Sequence, residues 1–131
     1  MKIKTSDLIG IALDYAVAIA HGATNFHHDT VAAYWITLDG QDRALSKAWR
    51  EQSFLPSTNW AHGGPIIEQG EILLDGLATG GENYRSWSAS IYENTESPFA
   101  TGRGPTPLIA AMRCYVASKL GDEVDVPEEL Q

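Results

Sequence analysis

Apolar residues recur at helical spacing near the start of the chain. The following positions lie three or four residues apart and so share one helix face: Leu8, Ile11, Ala12, Tyr15 and Ile19. The pattern predicts a helix over about residues 6–20. Thr5, Ser6 and Asp7 are candidates for its N-cap, and Gly22 is suited to the left-handed position after its end.

A second apolar stripe near the other end of the chain predicts a helix over residues 108–120. Its members recur at the same spacing: Leu108, Ala111, Met112, Tyr115 and Val116. Thr106 is the N-cap candidate, Pro107 takes the first helical position and Gly121 ends the helix. Residues 122–131 follow as an acidic extended tail.

Strand patterns fill the middle of the chain. Residues 31–38 are rich in β-branched and aromatic side chains and end at the turn pair Asp39-Gly40, which predicts a strand. In residues 84–92 the side chains alternate between two faces, which predicts a half-buried strand with Trp87, Ala89 and Ile91 facing inwards. Shorter strands are expected at 66–68 and 71–74, with a glycine turn at 80–81 and a short helix within 42–52. Residues 56–65 are dense in turn formers and predict an ordered loop. We expect one α+β domain over residues 1–131, with a small antiparallel sheet flanked by N-terminal and C-terminal helices.

Charge and composition exclude several classes of protein. The 131 residues carry 17 acidic and 9 basic side chains, a formal charge of −8, which does not suit a protein that neutralises nucleic-acid phosphates. No apolar run approaches the about 20 residues that span a bilayer, and the first residues lack the pattern of a signal peptide. We therefore expect a cytosolic protein that binds neither nucleic acid nor membranes.

No familiar catalytic or metal motif is present. The single cysteine, Cys114, lies in the apolar stripe of the last helix and is expected to be buried. The histidines match no zinc-site spacing: His21, His27, His28 and His62. The chain lacks a serine-hydrolase elbow, a phosphate loop and a zinc-protease motif. We expect no cofactor, no metal and no catalysis.

The loop over residues 57–65 is the first candidate binding element. It offers hydroxyl, amide, indole and imidazole groups that can contact a ligand: Ser57, Thr58, Asn59, Trp60 and His62. A nucleobase can stack on the indole while the polar groups bind its edge. The alternative is a structural loop in which Trp60 fills the core.

The segment over residues 102–107 is the second candidate, because it leads into the last helix. Free amides after Thr106, at the positive end of the helix dipole, and the guanidinium of Arg103 suit a phosphate. Arg113 is a further candidate for the same group, and Trp35 or Tyr34 for stacking on a base. The alternative is ordinary helix capping beside a solvated arginine.

Several blocks of the chain resemble the NinX-like family of small proteins from tailed phages and prophages. The resemblance lies in residues 1–8, 13–18, 56–58 with Trp60, 63–68 and 104–116, in the same order. It implies a phage origin and a place in the host cytoplasm, and it transfers no active site. Residues 23–52 depart from the family pattern.

These observations lead to one expected function and two alternatives. We expect a non-catalytic protein that sequesters a small phosphorylated nucleotide-type signal, such as a cyclic nucleotide or an ADP-ribose-derived messenger of host immunity. A pocket deep enough for this in so small a domain points to a homo-oligomer. The first alternative is an acidic protein that binds a host macromolecule through its tail. The second is a small nucleotide-cleaving enzyme with His62 as base, assisted by Glu68 or Asp75.

Overall fold

The computed structural model describes residues 1–29, 33–79, 84–93 and 98–131. The helices in these ranges are α1 (Gly10–Ala20), α2 (Trp60–Gln69) and α3 (Pro107–Leu120). The strands are β1 (Lys2–Lys4), β2 (Thr24–His28), β3 (Tyr34–Leu38), β4 (Gln41–Ala44), β5 (Leu73–Thr79), β6 (Tyr84–Ile91), β7 (Ala100–Gly104) and β8 (Glu123–Asp125). Short 3-10 turns occupy Thr5–Asp7, Lys47–Gln52 and Glu128–Leu130.

The strands pair antiparallel in three small sheets, which confirms the expected α+β class. The sheets have the orders β1-β8, β2-β3-β4 and β5-β6-β7. Helix α3 packs against the β5-β6-β7 sheet, and α1 packs against α3. The core between them includes fully buried Leu13, Val17, Met112 and Val116.

Two glycines bring β7 and α3 unusually close together. A Cβ atom at Gly102 would lie 2.5 Å from the Ala110 oxygen and from the Cys114 nitrogen, and one at Gly104 would lie 2.7 Å from Ile109 Cγ2. Gly102 and Gly104 were predicted to lie in a loop, but they belong to β7, and their lack of a side chain allows α3 to pack directly against this strand. The strand over 100–104 was not predicted, because glycine-rich sequence favours a turn when only local signals are considered.

The helix ends differ in how well the sequence predicted them. Helix α1 begins at Gly10 after Ile9, without a side-chain cap, so the prediction of a start near Ser6 was wrong. Thr5 instead donates its hydroxyl to the Gly121 oxygen at 2.7 Å, which ties the chain start to the end of α3. At α3 the predicted cap is confirmed, since Thr106 Oγ1 accepts the Ile109 N–H at 3.1 Å.

The loop and strand predicted over residues 56–68 were wrong beyond Asn59, because α2 forms there. Asn59 Oδ1 accepts the Ala61 N–H at 2.9 Å and caps the helix. Gly63 lets α2 approach its neighbours, since a Cβ there would lie 2.5 Å from the Pro56 oxygen and 2.6 Å from Leu108 Cδ2. Capping and tertiary packing thus prevail over the low helix propensity of Gly63, Gly64 and Pro65.

The remaining strand predictions hold in part. The Asp39-Gly40 turn is present, with φ of 53° and 78°, and it leads into β4. The short helix predicted within 42–52 is confined to the 3-10 turn over Lys47–Gln52. The polar stretch before β3 contains β2, and residues 31–32 of the predicted strand lie outside the described residues. Strand β6 matches its prediction, with Ala89 fully buried, whereas the 80–81 turn also lies outside the described residues.

The acidic C-terminal segment is extended in part and packs against the domain. Strand β8 pairs with β1, with Lys4 opposite Glu123. Val124, Val126 and Leu130 are buried beside it. Across the described residues, no helix has the length and apolar character needed to cross a bilayer.

Candidate functional site

An open hollow surrounds the exposed indole of Trp60 at the start of α2. The Trp60 side chain is 54% exposed, which is unusual for so large an apolar group. The hollow has a volume of about 680 Å³. We call it the Trp60 hollow, and its lining side chains are Lys47, Arg50, Glu51, Ser53, Leu55, Thr58, Asn59 and Trp60.

The two cations of the Trp60 hollow come from the 3-10 turn after β4. Ser46 Oγ accepts the Ala48 N–H at 3.3 Å and starts the turn. Arg50 has a φ of 45°, in the left-handed region that costs a side-chain-bearing residue free energy. Its carbonyl oxygen accepts the N–H and the hydroxyl of Ser53, at 3.0 and 2.5 Å. These bonds hold the strained backbone beside Trp60.

Three of the predicted loop residues line the Trp60 hollow: Thr58, Asn59 and Trp60. Ser57 does not line the hollow and is buried next to them in the chain. Ser57 is 2% exposed and donates its backbone N–H to Asp14 Oδ1 at 2.8 Å. Burial raises the pKa of Asp14 to about 6, although the Ser57 N–H acts in the opposite direction.

The two predicted binding segments meet on the other side of Trp60. A cleft of about 230 Å³ is lined there by Ser57, Thr58 and Trp60 together with the start of α3. Thr106 belongs to this cleft, but its Oγ1 already accepts the Ile109 N–H. Arg103 and Arg113 do not line it.

Arg103 and Arg113 lie together in a separate cleft of about 320 Å³, which we call the Arg113 cleft. Its lining residues are Lys4, Thr5, Ser6, Thr101, Gly102, Arg103, Arg113, Ala117, Asp122 and Glu123. Arg113 donates from Nε to the Leu8 oxygen at 2.9 Å and from Nη1 to the Arg103 oxygen at 2.8 Å. The arginines predicted to bind a phosphate therefore lie in the Arg113 cleft, whereas Trp60, predicted to stack on a base, lies in the Trp60 hollow.

His62 lines a fourth pocket, of about 190 Å³, together with Arg43 and Phe54. Its Nδ1 accepts the backbone N–H of Leu55 at 2.9 Å, which places the proton of the neutral ring on Nε2. The ring stacks on Phe54 with centroids 6.0 Å apart. Burial, and then the charge of Arg43, lower the pKa of His62 below its ordinary value.

The other aromatic side chains considered for stacking are already engaged. Trp35 is buried, donates its indole N–H to Asp29 Oδ2 at 2.8 Å and lies 5.0 Å from Trp49 between ring centroids. Tyr34 stacks on both Phe26 and His28. Of these three aromatic side chains, Trp60 is therefore the best placed to stack on a ligand.

One further cleft was not predicted from the sequence. It has a volume of about 350 Å³ and lies between the end of α1, α2, α3 and the end of β6. His21 Nδ1 and the Tyr115 hydroxyl are 3.0 Å apart in its wall, and Phe99 is 54% exposed at its side. These residues come from distant parts of the chain, so no local pattern could have grouped them.

The remaining groups of chemical interest are the metal-ligating side chains and the single thiol. Within them, no three histidine, cysteine, aspartate or glutamate side chains are grouped closely enough to hold a metal ion. Cys114 is fully buried, and burial raises the pKa of its thiol to about 11. Such a thiol is protonated near neutral pH and therefore a weak nucleophile.

Comparison with known families identifies a match over most of the chain. Residues 4–119 match the family model described as "Bacteriophage P22, NinX". No curated protein matches the chain. The match covers α1 to α3, the Trp60 hollow and most of the Arg113 cleft.

Proposed function

Because the chain belongs to the bacteriophage P22 NinX family, we propose that it is a phage accessory protein that sequesters a small phosphorylated nucleotide-type ligand. The observation that carries the proposal is the exposed indole of Trp60, which shares one hollow with Lys47 and Arg50. The indole offers a stacking surface and the cations offer phosphate contacts. The ligand would be a host immune messenger, such as a cyclic nucleotide or an ADP-ribose derivative, met in the host cytoplasm.

The polar groups around Trp60 can complement a nucleotide. Asn59 uses Oδ1 to cap α2, and its Nδ2 amide donates to none of the described residues, so it can donate to a base or a phosphate. Thr58 adds an exposed hydroxyl. Lys47 and Arg50 form no ion pair with any described residue, so a phosphate would not have to displace a carboxylate. Arg50 also has a positive φ, and strained backbone of this kind is common at ligand sites.

Binding without cleavage is favoured by the position of His62. The cleavage alternative requires His62 as the base, but this side chain lines the pocket of Arg43 and Phe54, not the Trp60 hollow. Its Nδ1 is held by the Leu55 N–H. The base that the cleavage alternative names therefore lies outside the Trp60 hollow.

We propose self-association as part of this function. The Trp60 hollow is open, and a ligand held at low concentration must be enclosed on more than one side. A symmetric partner subunit could cover the hollow, and Trp60 would then be shielded at the interface. Light scattering or mass photometry should give a mass of at least two chains, and a strict monomer at all concentrations would contradict the proposal.

The decisive experiment screens the purified protein against nucleotides, cyclic dinucleotides and ADP-ribose derivatives by thermal shift. A ligand at about 100 times its Kd should add about 2.7 kcal/mol of stability. Trp60→Ala should weaken binding by about 1–3 kcal/mol, and Lys47→Ala with Arg50→Ala should weaken it further. Ligand released by heating and weighed by mass spectrometry should be unchanged.

Phe99→Ala is the matched control, because Phe99 is as exposed as Trp60 and lies in another cleft. It should leave the affinity unchanged. Equal losses in both variants would contradict a site at Trp60. A released ligand of altered mass would favour the cleavage alternative, and no stabilising compound at all would favour a macromolecular partner.

A further inference from the structure

The Arg113 cleft contains a guanidinium that the fold holds in place. Arg113 is half-buried, and its Nε and Nη1 donate to the backbone oxygens of Leu8 and Arg103. Its Nη2 makes no hydrogen bond to a described residue. Two anchored N–H groups fix the plane of the guanidinium, so the remaining donors need no further ordering to bind an anion.

Three cationic side chains meet in this cleft: Lys4, Arg103 and Arg113. They are one third of the 9 basic residues in a chain with 17 acidic ones. None of them forms an ion pair within 4.0 Å with a described residue, although Asp7 lies close enough to act on the charge of Arg113. Unpaired like charges repel each other, and an anion bound among them would relieve the repulsion.

The cleft also carries the carboxylates of Asp122 and Glu123. Glu123 lies directly opposite Lys4 in the β1-β8 pair, yet the two charged groups do not form an ion pair. Ionised carboxylates only accept hydrogen bonds, and in nucleotide sites they commonly accept them from sugar hydroxyls. Cations and carboxylates that form no ion pairs with described residues lie together in this cleft, and they match a ligand that carries both a phosphate and a diol.

From this arrangement we propose that the Arg113 cleft is a second binding site, for the sugar-phosphate group of a phosphorylated pentose. The phosphate is bound by Arg103, Arg113 and Lys4, and the hydroxyls donate to Asp122 and Glu123. The volume of about 320 Å³ lies at the lower end of the range of small-molecule pockets and suits a ligand of this size.

This site is separate from the Trp60 hollow and does not depend on the function proposed there. The two clefts share no lining residue. Trp60→Ala should therefore leave binding at the Arg113 cleft unchanged, so the two proposals can fail independently.

Calorimetric titration of the full chain with ribose 5-phosphate, inorganic phosphate and ribose tests the proposal. We expect ribose 5-phosphate to bind more tightly than either fragment. Arg103→Ala should weaken its binding about tenfold or more, because the exposed guanidinium would no longer donate charge-assisted hydrogen bonds to the phosphate. Lys119→Ala removes an exposed cation outside the cleft and should have no effect. Unchanged binding in Arg103→Ala, or the same loss in Lys119→Ala, would overturn the site.

The carboxylates test the sugar part of the proposal. Asp122→Asn with Glu123→Gln removes negative charge, so inorganic phosphate should bind more tightly to this variant. Ribose 5-phosphate should lose its advantage over phosphate, because amides accept hydroxyl protons less strongly than carboxylates do. Equal affinity of the unmodified protein for phosphate and ribose 5-phosphate would overturn the sugar assignment.

Discussion

Asp14 places a carboxylate inside the core, where it is 3% exposed and accepts the Ser57 N–H. Burial raises its pKa from 3.8 to about 6. Since the folded-state pKa is the higher one, the folded state binds the proton more tightly than the unfolded state. The contribution of Asp14 to stability is therefore greatest below about pH 4 and falls as the pH rises through about 6.

Asp14→Asn should remove this pH dependence while keeping an oxygen that accepts the Ser57 N–H. At pH 8 the variant should be more stable than the unmodified chain by up to about 3 kcal/mol, and the difference should shrink towards pH 4. Urea unfolding at several pH values measures it. Asp75→Asn, at an exposed carboxylate, is the control. A difference between Asp14→Asn and the unmodified chain that does not change with pH would contradict the assignment.

At the scale of the element, adjacent glycines in α2 differ in their surroundings. A Cβ at Gly63 would meet the Pro56 oxygen at 2.5 Å, whereas none of the neighbours of Gly64 comes within 4 Å of such an atom. Gly63→Ala should destabilise the fold by about 1–3 kcal/mol, since backbone must shift. Gly64→Ala should stabilise it by about 0.5–1 kcal/mol through helix propensity. Thermal unfolding compares the two, and stabilisation by both substitutions would show that α2 does not pack as described.

This contrast also explains which elements the sequence could predict. Helix α3 was predicted because its signals are local: Thr106 caps it, Pro107 starts it and Gly121 ends it. Helix α2 was missed because the reason for Gly63 lies in Pro56 and Leu108, outside the helix. A strand or helix that depends on distant packing carries no such local signal.

In the candidate site, too, the sequence could predict what depends on local residues and not what depends on distant packing. Trp60 with its polar neighbours could be selected from one short segment, because residue type alone identifies a stacking group. The cations beside it could not be assigned, since Lys47 and Arg50 reach Trp60 only through the turn after β4. Arg103 and Arg113 were correctly grouped with each other, but the sequence placed them with Trp60, and the fold gives them a separate cleft.

At the scale of the whole molecule, the two ends of the chain stabilise each other. The Met1 amino group lies 3.0 Å from Asp125 Oδ1, an exposed contact that contributes little by itself. The larger contribution comes from three buried side chains of the C-terminal segment, Val124, Val126 and Leu130. Each such burial is worth about 1.5–3 kcal/mol. Truncation after Gly121 should therefore cost on the order of 5 kcal/mol, seen as a much lower Tm.

The buried side chains of the C-terminal segment determine how the acidic-partner alternative must be tested. Loss of activity after truncation would report unfolding as readily as a lost interaction. The exposed carboxylates outside the Arg113 cleft can instead be neutralised in the full chain, by Asp125→Asn, Glu128→Gln and Glu129→Gln, while the buried side chains stay in place. This variant should keep its Tm within a few degrees, because exposed charges contribute little to folding. If it also keeps its activity in infected cells, the acidic segment acts in folding. If activity is lost while the Tm holds, its charges contact a basic partner.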